Sequence, residues 1–420
     1  MLITGLVVGL VLGLRKRDTH GVSQGPGTLQ PYPGLSSALG TPKLVANGLS
    51  GIRALVFDSA TGNLLAFARD PQQVVAIAVA APSKADNSKT VLLDVSSANL
   101  GLNHGFAVHD GYMYASSVTD VYRWKYTNGT IAAPDARENI VRNIDSGIQL
   151  GTPGATATGH VTRSVVLDGS FMYVSVGSEA NVDTSSQRAR VRRFPYRTYT
   201  GTPFDFQQGQ IWADGVRNCI AMNFDAGGKL WGAVTGPDDL QRTDLTADLH
   251  QDSPVENVYL FDQPRFYGYP FCFPAGNLTG TFADSPTVGK MYAWPDSLND
   301  GTHTDAWCQS PANVKPPDAA ISAHSTPIDL EFQPSTGDML ISLRGSWNRD
   351  IPSGYAVVRL PFSAPGGTPK VDRVTDRLLW NDNQLRCPSG CFRPTGIALV
   401  GNSTLYVASD VTGDIVKISV

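Results

Sequence analysis

One short unit recurs six times along this chain: an apolar run, an Asp/Gly turn, then a second apolar run rich in β-formers. It is written as IRALVFDSATGNLLAFA (52–68), HGFAVHDGYMYASS (104–117), TRSVVLDGSFMYVSVG (162–177), CIAMNFDAGGKLWGAV (219–234), PIDLEFQPSTGDMLISL (327–343) and PTGIALVGNSTLYVAS (394–409). Counted between Leu64, Met113, Met172, Leu230, Met339 and Leu405, the intervals are 49, 59, 58, 109 and 66 residues. The long interval holds a Pro/Gly/Asp-rich insertion over about 262–325. Self-similarity on this scale signals a repeat architecture, each unit burying its faces against the next.

Period-2 alternation with turn residues every 8–12 positions means antiparallel sheet. Most units continue into another alternating strand: DVYRWKY (120–126), RARVRRFPY (188–196), ENVYLFD (256–262) and GYAVVRLPF (354–362). No stretch of 12 or more residues carries a helical stripe, and Gly (42) plus Pro (28) punctuate the chain, which excludes a helical bundle or coiled coil. The expected fold is all-β: a six-bladed β-propeller of four-stranded antiparallel blades. The chain ends in a strand, DIVKISV (414–420), and PKLVANG (42–48) supplies the missing outer strand that closes the ring. A two-domain sandwich would leave the six similar units unexplained.

The propeller is placed at 41–420, behind an extension at 18–40 and a leader at 1–17. Residues 2–14 are apolar and end at Arg15-Lys16-Arg17. That run is short of the roughly 20 residues needed to cross a bilayer and suits an export signal. Sequons at Asn128, Asn277 and Asn402 agree with secretion as a glycoprotein. Cys387 and Cys391 can close a small loop, Cys272 and Cys308 can staple the insertion, and Cys219 is left over as a buried thiol. The net charge of −4 excludes a general nucleic-acid or anionic-membrane partner, since those need clustered positive charge. The chain is read as a monomer.

Propeller ligands sit on the axis, so the polar residues at unit starts and ends carry the functional signal. Here they are Arg53, His104, His160, Arg163, Arg217-Asn218, His324, Arg344 and Arg393. Arginines converging on one axis repel unless an anion lies among them. A planar, multiply charged anion is the natural guest, because guanidinium binds carboxylates bidentately and stacks on π faces. Arg163 is expected to pair with an acid between blades, and Arg188, Arg190 and Arg192 to form a solvated strand face. Asp238-Asp239 reads as a turn or as side-chain ligands for a cation.

The stretches GHVTRSVVLDG (159–169), GVRN (215–218), TGPDDL (235–240), YGYP (267–270), RGSWNRDIPSGYAVVRLPF (344–362) and RPTGIAL (393–399) resemble the quinoprotein sugar dehydrogenases. These are propellers dependent on pyrroloquinoline quinone (PQQ), including bacterial soluble glucose dehydrogenase and sorbosone dehydrogenase-like proteins. The chain is most similar to the fungal pyranose dehydrogenases of auxiliary-activity family 12. The resemblance implies His160 as the base for the sugar hydroxyl, with hydride passing to the quinone. It implies Arg217 and Asn218 on the quinone oxygens, Arg217 also acting in catalysis. It implies Arg53, His104, His324, Arg344, Trp347, Asn348 and Arg393 around the cofactor, Arg344 lying near a PQQ-binding lysine of the bacterial enzymes. Arg349 supports that pocket. The backbone carbonyls of Gly236 and Pro237 are the implied ligands of a Ca²⁺ beside PQQ.

Two departures bear on substrate. Gly159 stands where the bacterial glucose enzyme has Asp before the catalytic His, and Asn103-His104-Gly105 replaces its Gln-Gly. Both point away from glucose, toward other pyranoses or 2-keto sugars. The expected activity is sugar oxidation with electrons passed to an external acceptor, a cytochrome or a copper monooxygenase by analogy. The competing readings are a Ca²⁺-dependent lactonase or esterase propeller, which would place acids and amides at the axis, and a non-enzymatic glycan- or protein-binding propeller.

Overall fold

The computed structural model describes residues 29–79, 88–145, 159–242, 244, 249–276, 289–294, 298 and 300–420. The expected leader at 1–17, the first part of the extension and Asn277 lie outside these residues.

Among the described residues the architecture is all-β, with six antiparallel blades in the order of the six sequence units. The innermost strands are Ile52–Asp58, Phe106–His109, Val165–Leu167, Asn218–Phe224, Pro327–Phe332 and Pro394–Val400, one to each blade from 1 to 6. Each touches the innermost strand of the next blade, and blade 6 touches blade 1, so the ring is closed. Closure is made as the repeat requires: Lys43–Ala46 pairs antiparallel with Ile415–Ser419 as the outer strand of blade 6.

The apolar runs are continuous, not strictly alternating, because each blade buries both faces. On Asn63–Ala68, Leu64 and Ala66 pack with blade 6 while Leu65 and Phe67 pack with blade 2. The same division recurs around the ring, with one apolar cluster at each interface between consecutive blades. Burying such side chains is worth about 1.5–3 kcal/mol each, so the interfaces carry the fold.

Three features lie beyond the four-stranded expectation. Leu35–Ser37 pairs with Asp376–Asn381 as a fifth strand of blade 5. Phe204–Asp205 and Arg265–Phe266 add short parallel strands to the outer edges of blades 2 and 3. Capping an outer edge hides unpaired backbone groups. The insertion interrupts blade 4, whose outer strand, Ala319–Ile321, follows it. It holds a hairpin, Cys272–Pro274 with Met291–Ala293, and a four-residue helix, Asp305–Cys308. A Cys272–Cys308 disulfide closes this 36-residue separation, worth about 3–4 kcal/mol in the chain-entropy account. Cys387–Cys391 is also bonded, and Cys219 is free and buried.

Two expectations about arginines are corrected. Arg188, Arg190 and Arg192 do not form a solvated face. Arg190 and Arg192 are buried; Arg190 pairs with Asp214 at 3.0 Å, while Arg188 meets Asp145, Glu179 and Asp183. Arg192 donates to the Gly209 carbonyl at 2.7 Å. The strand lies inside the blade and not in water, and its charges find partners in the neighbouring outer strand and in the adjoining loops. Arg163 is fully buried and donates to the carbonyls of Val118, His160 and Thr162 instead of an acid.

Candidate active site

In each blade the start of the first strand lies beside the end of the second, as in Ile52↔Ala68, Asn218↔Thr235, Pro327↔Leu343 and Pro394↔Ser409. One end of the propeller therefore gathers the unit starts and ends that held the candidate residues. Four inner strands break register there, between 52 and 54, 219 and 221, 327 and 329, and 394 and 397. Such bulges re-aim side chains. Arg53 is the extra residue in the first of them.

On the side of blades 1, 5 and 6, Arg53, Arg344 and Arg393 converge on one carboxylate, Asp410. Its Oδ2 accepts from Arg53 Nη1 at 3.2 Å, Arg344 Nε at 2.8 Å and Arg393 Nη2 at 3.2 Å; its Oδ1 accepts from Arg393 Nε at 2.8 Å. Three guanidiniums face one acid. Arg53 shows the strain: burial, then the neighbouring Arg344, pull it down to about 9, and its Nε has no partner. His104 is buried beside them. Burial and the charges of Arg53 and Arg344 hold it well below the usual imidazole value, so it is neutral, and its Nδ1 is unpartnered.

On the side of blades 3 and 4 stands His160. Its Nδ1 lies 3.0 Å from the Ser178 carbonyl and 2.9 Å from the Ser178 hydroxyl. A carbonyl only accepts, so Nδ1 carries the hydrogen and Nε2 keeps its lone pair. Burial, then Arg217, push His160 down to about 4. Glycines make room around it. A Cβ on Gly177 would lie 2.5 Å from His160 Cβ and 2.7 Å from Asn218 Oδ1, which places these two side chains together. Gly159 has φ +73°, and a Cβ there would fall 1.8 Å from the Glu179 carbonyl, so no Asp could precede this histidine without moving the loop.

Arg217 is buried and committed to the protein. It donates to the Gly236 carbonyl at 2.6 Å, to Asn181 Oδ1 at 2.9 Å and to Asp238 Oδ2 at 3.0 Å. Asp238 Oδ1 also faces His324 Nδ1 at 3.5 Å. Burial works to raise Asp238, but His324 and Arg217 outweigh it and hold it low. Burial opposes the charge on His324 as well, yet Asp238 and then Glu256 raise it. Glu256, pushed up to about 7 by burial, accepts from the Gly236 N–H at 2.8 Å and the Thr326 N–H at 3.3 Å. Thr326 in turn accepts from the Arg344 N–H at 2.9 Å, so a hydrogen-bonded chain joins the two sides.

The structure thus brings Arg53, His104, Arg344 and Arg393 together, and separately His160, Arg217, Asn218, Gly236 and His324. Asn348 is buried with Nδ2 unpartnered. Trp347 is 71% exposed, so it is not packed between blades. Arg349 pairs with Asp252 at 2.9 Å. Sequence reading missed Asp410, Ser178, Asn181 and Glu256. Asp410 had a signal: Arg69, Ser117, Gly177, Gly236, Arg344 and Asp410 each directly follow a second strand. A search for basic residues alone passes over the acid in that register.

Unpaired buried nitrogens beside three guanidiniums fit a compact polycarboxylate such as PQQ. Calcium is another matter. Ca²⁺ takes 6–8 oxygens. The Gly236 carbonyl already serves Arg217, Asp238 is held by Arg217 and His324, and the described residues contain no group of three or more His, Cys, Asp or Glu. The described residues alone present no calcium cage.

A family model described as TrAA12-like matches residues 40–420. A PQQ-dependent pyranose dehydrogenase of Coprinopsis cinerea is 30% identical over 421 residues, covering 93% of this chain and 55% of that protein. The chain thus spans about half the length of that relative. A PQQ-dependent sugar dehydrogenase of Hypocrea jecorina is 30% identical over 403 residues, covering 89% of this chain and 86% of that one. The solved holo form of the pyranose dehydrogenase PQQ domain from Coprinopsis cinerea superposes with a TM-score of 0.79 at 26% identity, covering 96% and 99% of the two chains.

Proposed function

We infer, from the premise that this chain belongs to the TrAA12-like family, that it is a quinoprotein sugar dehydrogenase, oxidising a pyranose or 2-keto sugar at a hydroxyl-bearing carbon. The observation that carries this reading is the pairing of a positively charged receptor, Arg53, Arg344 and Arg393, with a neutral imidazole, His160, on the same end of the propeller.

The three guanidiniums would hold the carboxylates of PQQ through charge-assisted hydrogen bonds. Bound there, PQQ supplies a two-electron acceptor for the hydride that leaves the sugar carbon. The residues of this chain handle the proton. His160 donates Nδ1–H to the Ser178 carbonyl, which fixes the ring and leaves Nε2 to take the hydroxyl proton. Because the ring is neutral at pH 7, it needs no prior deprotonation. Asn218, beside His160, supplies a further polar contact. Arg217, which uses one Nη1 hydrogen on the Gly236 carbonyl, adds positive potential where negative charge develops. A Ca²⁺, if recruited, would take the Gly236 and Pro237 carbonyls and act as a Lewis acid; no step here depends on it.

The electrons then pass to a separate acceptor, and the protein works outside the cell. The bonded Cys272–Cys308 and Cys387–Cys391 pairs support an oxidising compartment. Purified protein titrated with PQQ, then offered a panel of sugars and a dye acceptor, tests the reading. Saturable one-to-one binding followed by sugar-dependent dye reduction is expected. Binding without turnover of any sugar would remove the sugar from the proposal, and no binding with or without Ca²⁺ would remove the quinone.

A further inference from the structure

We propose that Asp410 is the positioning residue of this site: a built-in carboxylate that gathers Arg53, Arg344 and Arg393 into a receptor for a compact polycarboxylate carrying at least two negative charges. The inference rests on the reading above that these arginines hold the quinone's carboxylates.

The charge count comes first. Three guanidiniums and one carboxylate leave an excess of two positive charges (3 − 1 = 2), and the neutral His104 adds none. Ordinary ion-pair networks elsewhere in the molecule balance or invert this ratio. Arg69 has its own Asp70, and Arg188 is surrounded by Asp145, Glu179 and Asp183. Only around Asp410 do three arginines share one acid among the described residues.

Geometry comes second. The arginines arrive from blades 1, 5 and 6, so no local backbone holds them together. Asp410 follows the second strand of blade 6 and uses both oxygens to reach all three. Arg53 and Asp410 form the floor, with side chains 5% exposed; Arg344 and Arg393, at 29% and 21%, face the opening. Without the carboxylate, the two outer side chains would swing into solvent, away from each other. Asn is the informative replacement, since its size is the same but its amide nitrogen would oppose arginine N–H groups, donor against donor. Preorganisation of this kind raises affinity by reducing what the ligand must order on binding.

The test uses the full chain as wild type, Asp410→Asn and Asp410→Glu, with folding checked by near-ultraviolet circular dichroism. PQQ affinity is read by tryptophan quenching, and an inert planar tricarboxylate, benzene-1,3,5-tricarboxylate, is scored by its shift of the melting temperature. Asp410→Asn should bind PQQ about tenfold or more weakly and lose the tricarboxylate shift. Asp410→Glu, whose carboxylate is kept but displaced, should fall between wild type and Asp410→Asn in both. A folded Asp410→Asn that binds PQQ as tightly as wild type, or more tightly, overturns the proposal: Asp410 would then only offset charge. If Asp410→Asn does not fold, the displaced carboxylate of Asp410→Glu decides, with roughly threefold to tenfold weaker binding expected and an unchanged Kd contradicting the proposal. If wild type fails to bind PQQ, the cofactor reading falls and this one turns on the tricarboxylate. A shift in wild type that vanishes in Asp410→Asn supports it, while equal shifts, or none in either, overturn it.

Discussion

The two sides of the axial site are built from the same residue types and do opposite things with them. On the side of blades 1, 5 and 6, three arginines share Asp410 and positive charge is left over. On the side of blades 3 and 4, Arg217 is matched by Asp238, and its hydrogen bonds are spent on Gly236 and Asn181. An unbalanced cluster is made to receive an anion. A balanced one is made to stay put, beside a ring, His160, whose tautomer the Ser178 carbonyl fixes. Binding and proton transfer are therefore separable by mutation.

The largest effect should come from the balanced side. His160→Gln is expected to lower kcat by roughly 10²–10⁴-fold while PQQ still binds near its wild-type Kd, measured by dye-coupled turnover and by quenching titration. The mirror image is Arg393→Ala. It removes a charge-assisted contact worth about 1.5–3 kcal/mol, so PQQ binding should weaken roughly 10–100-fold, while turnover at saturating PQQ changes far less. Equal losses of Kd and kcat in both variants would erase the distinction between the sides.

Histidine titrations sharpen the comparison. In an NMR titration of the cofactor-free protein, His160 should protonate near pH 4, His324 above the ordinary imidazole value and His104 well below it. The sign matters for stability. A His160 held below its unfolded value favours the fold at neutral pH, and that contribution declines as pH falls from the unfolded pKa of about 6.5 toward 4. A His160 titrating near 6.5 would contradict the burial described here. The smallest expected signal concerns calcium. With Gly236 and Asp238 engaged by Arg217, calorimetry on the cofactor-free protein should show no saturable Ca²⁺ binding at this turn, and any Ca²⁺ effect should require PQQ.

The fold was legible because each second strand buries both faces. Pairs such as Leu64-Leu65 and Met339-Leu340 stand out as apolar doublets after an Asp/Gly turn, one member for each neighbouring blade. The closing strand was legible from the unpaired last strand. Leu35–Ser37 was not, since three residues on an outer edge carry no alternation. Basic site residues were visible at unit starts because Arg and His are uncommon beside buried strands. Asp410 and Asp238 were harder, because an acid after a strand looks like any turn residue until three dimensions show what it faces. The strand arginines Arg190 and Arg192 misled for a related reason: alternation tells which face a side chain shares, not whether that face is covered.

The most direct measurement is a crystal structure of the protein soaked or grown with PQQ. The account predicts the quinone's carboxylates among Arg53, Arg344 and Arg393, and its reactive carbonyls turned toward His160 and Arg217. PQQ bound elsewhere, or turned with its carboxylates toward His160, would contradict it.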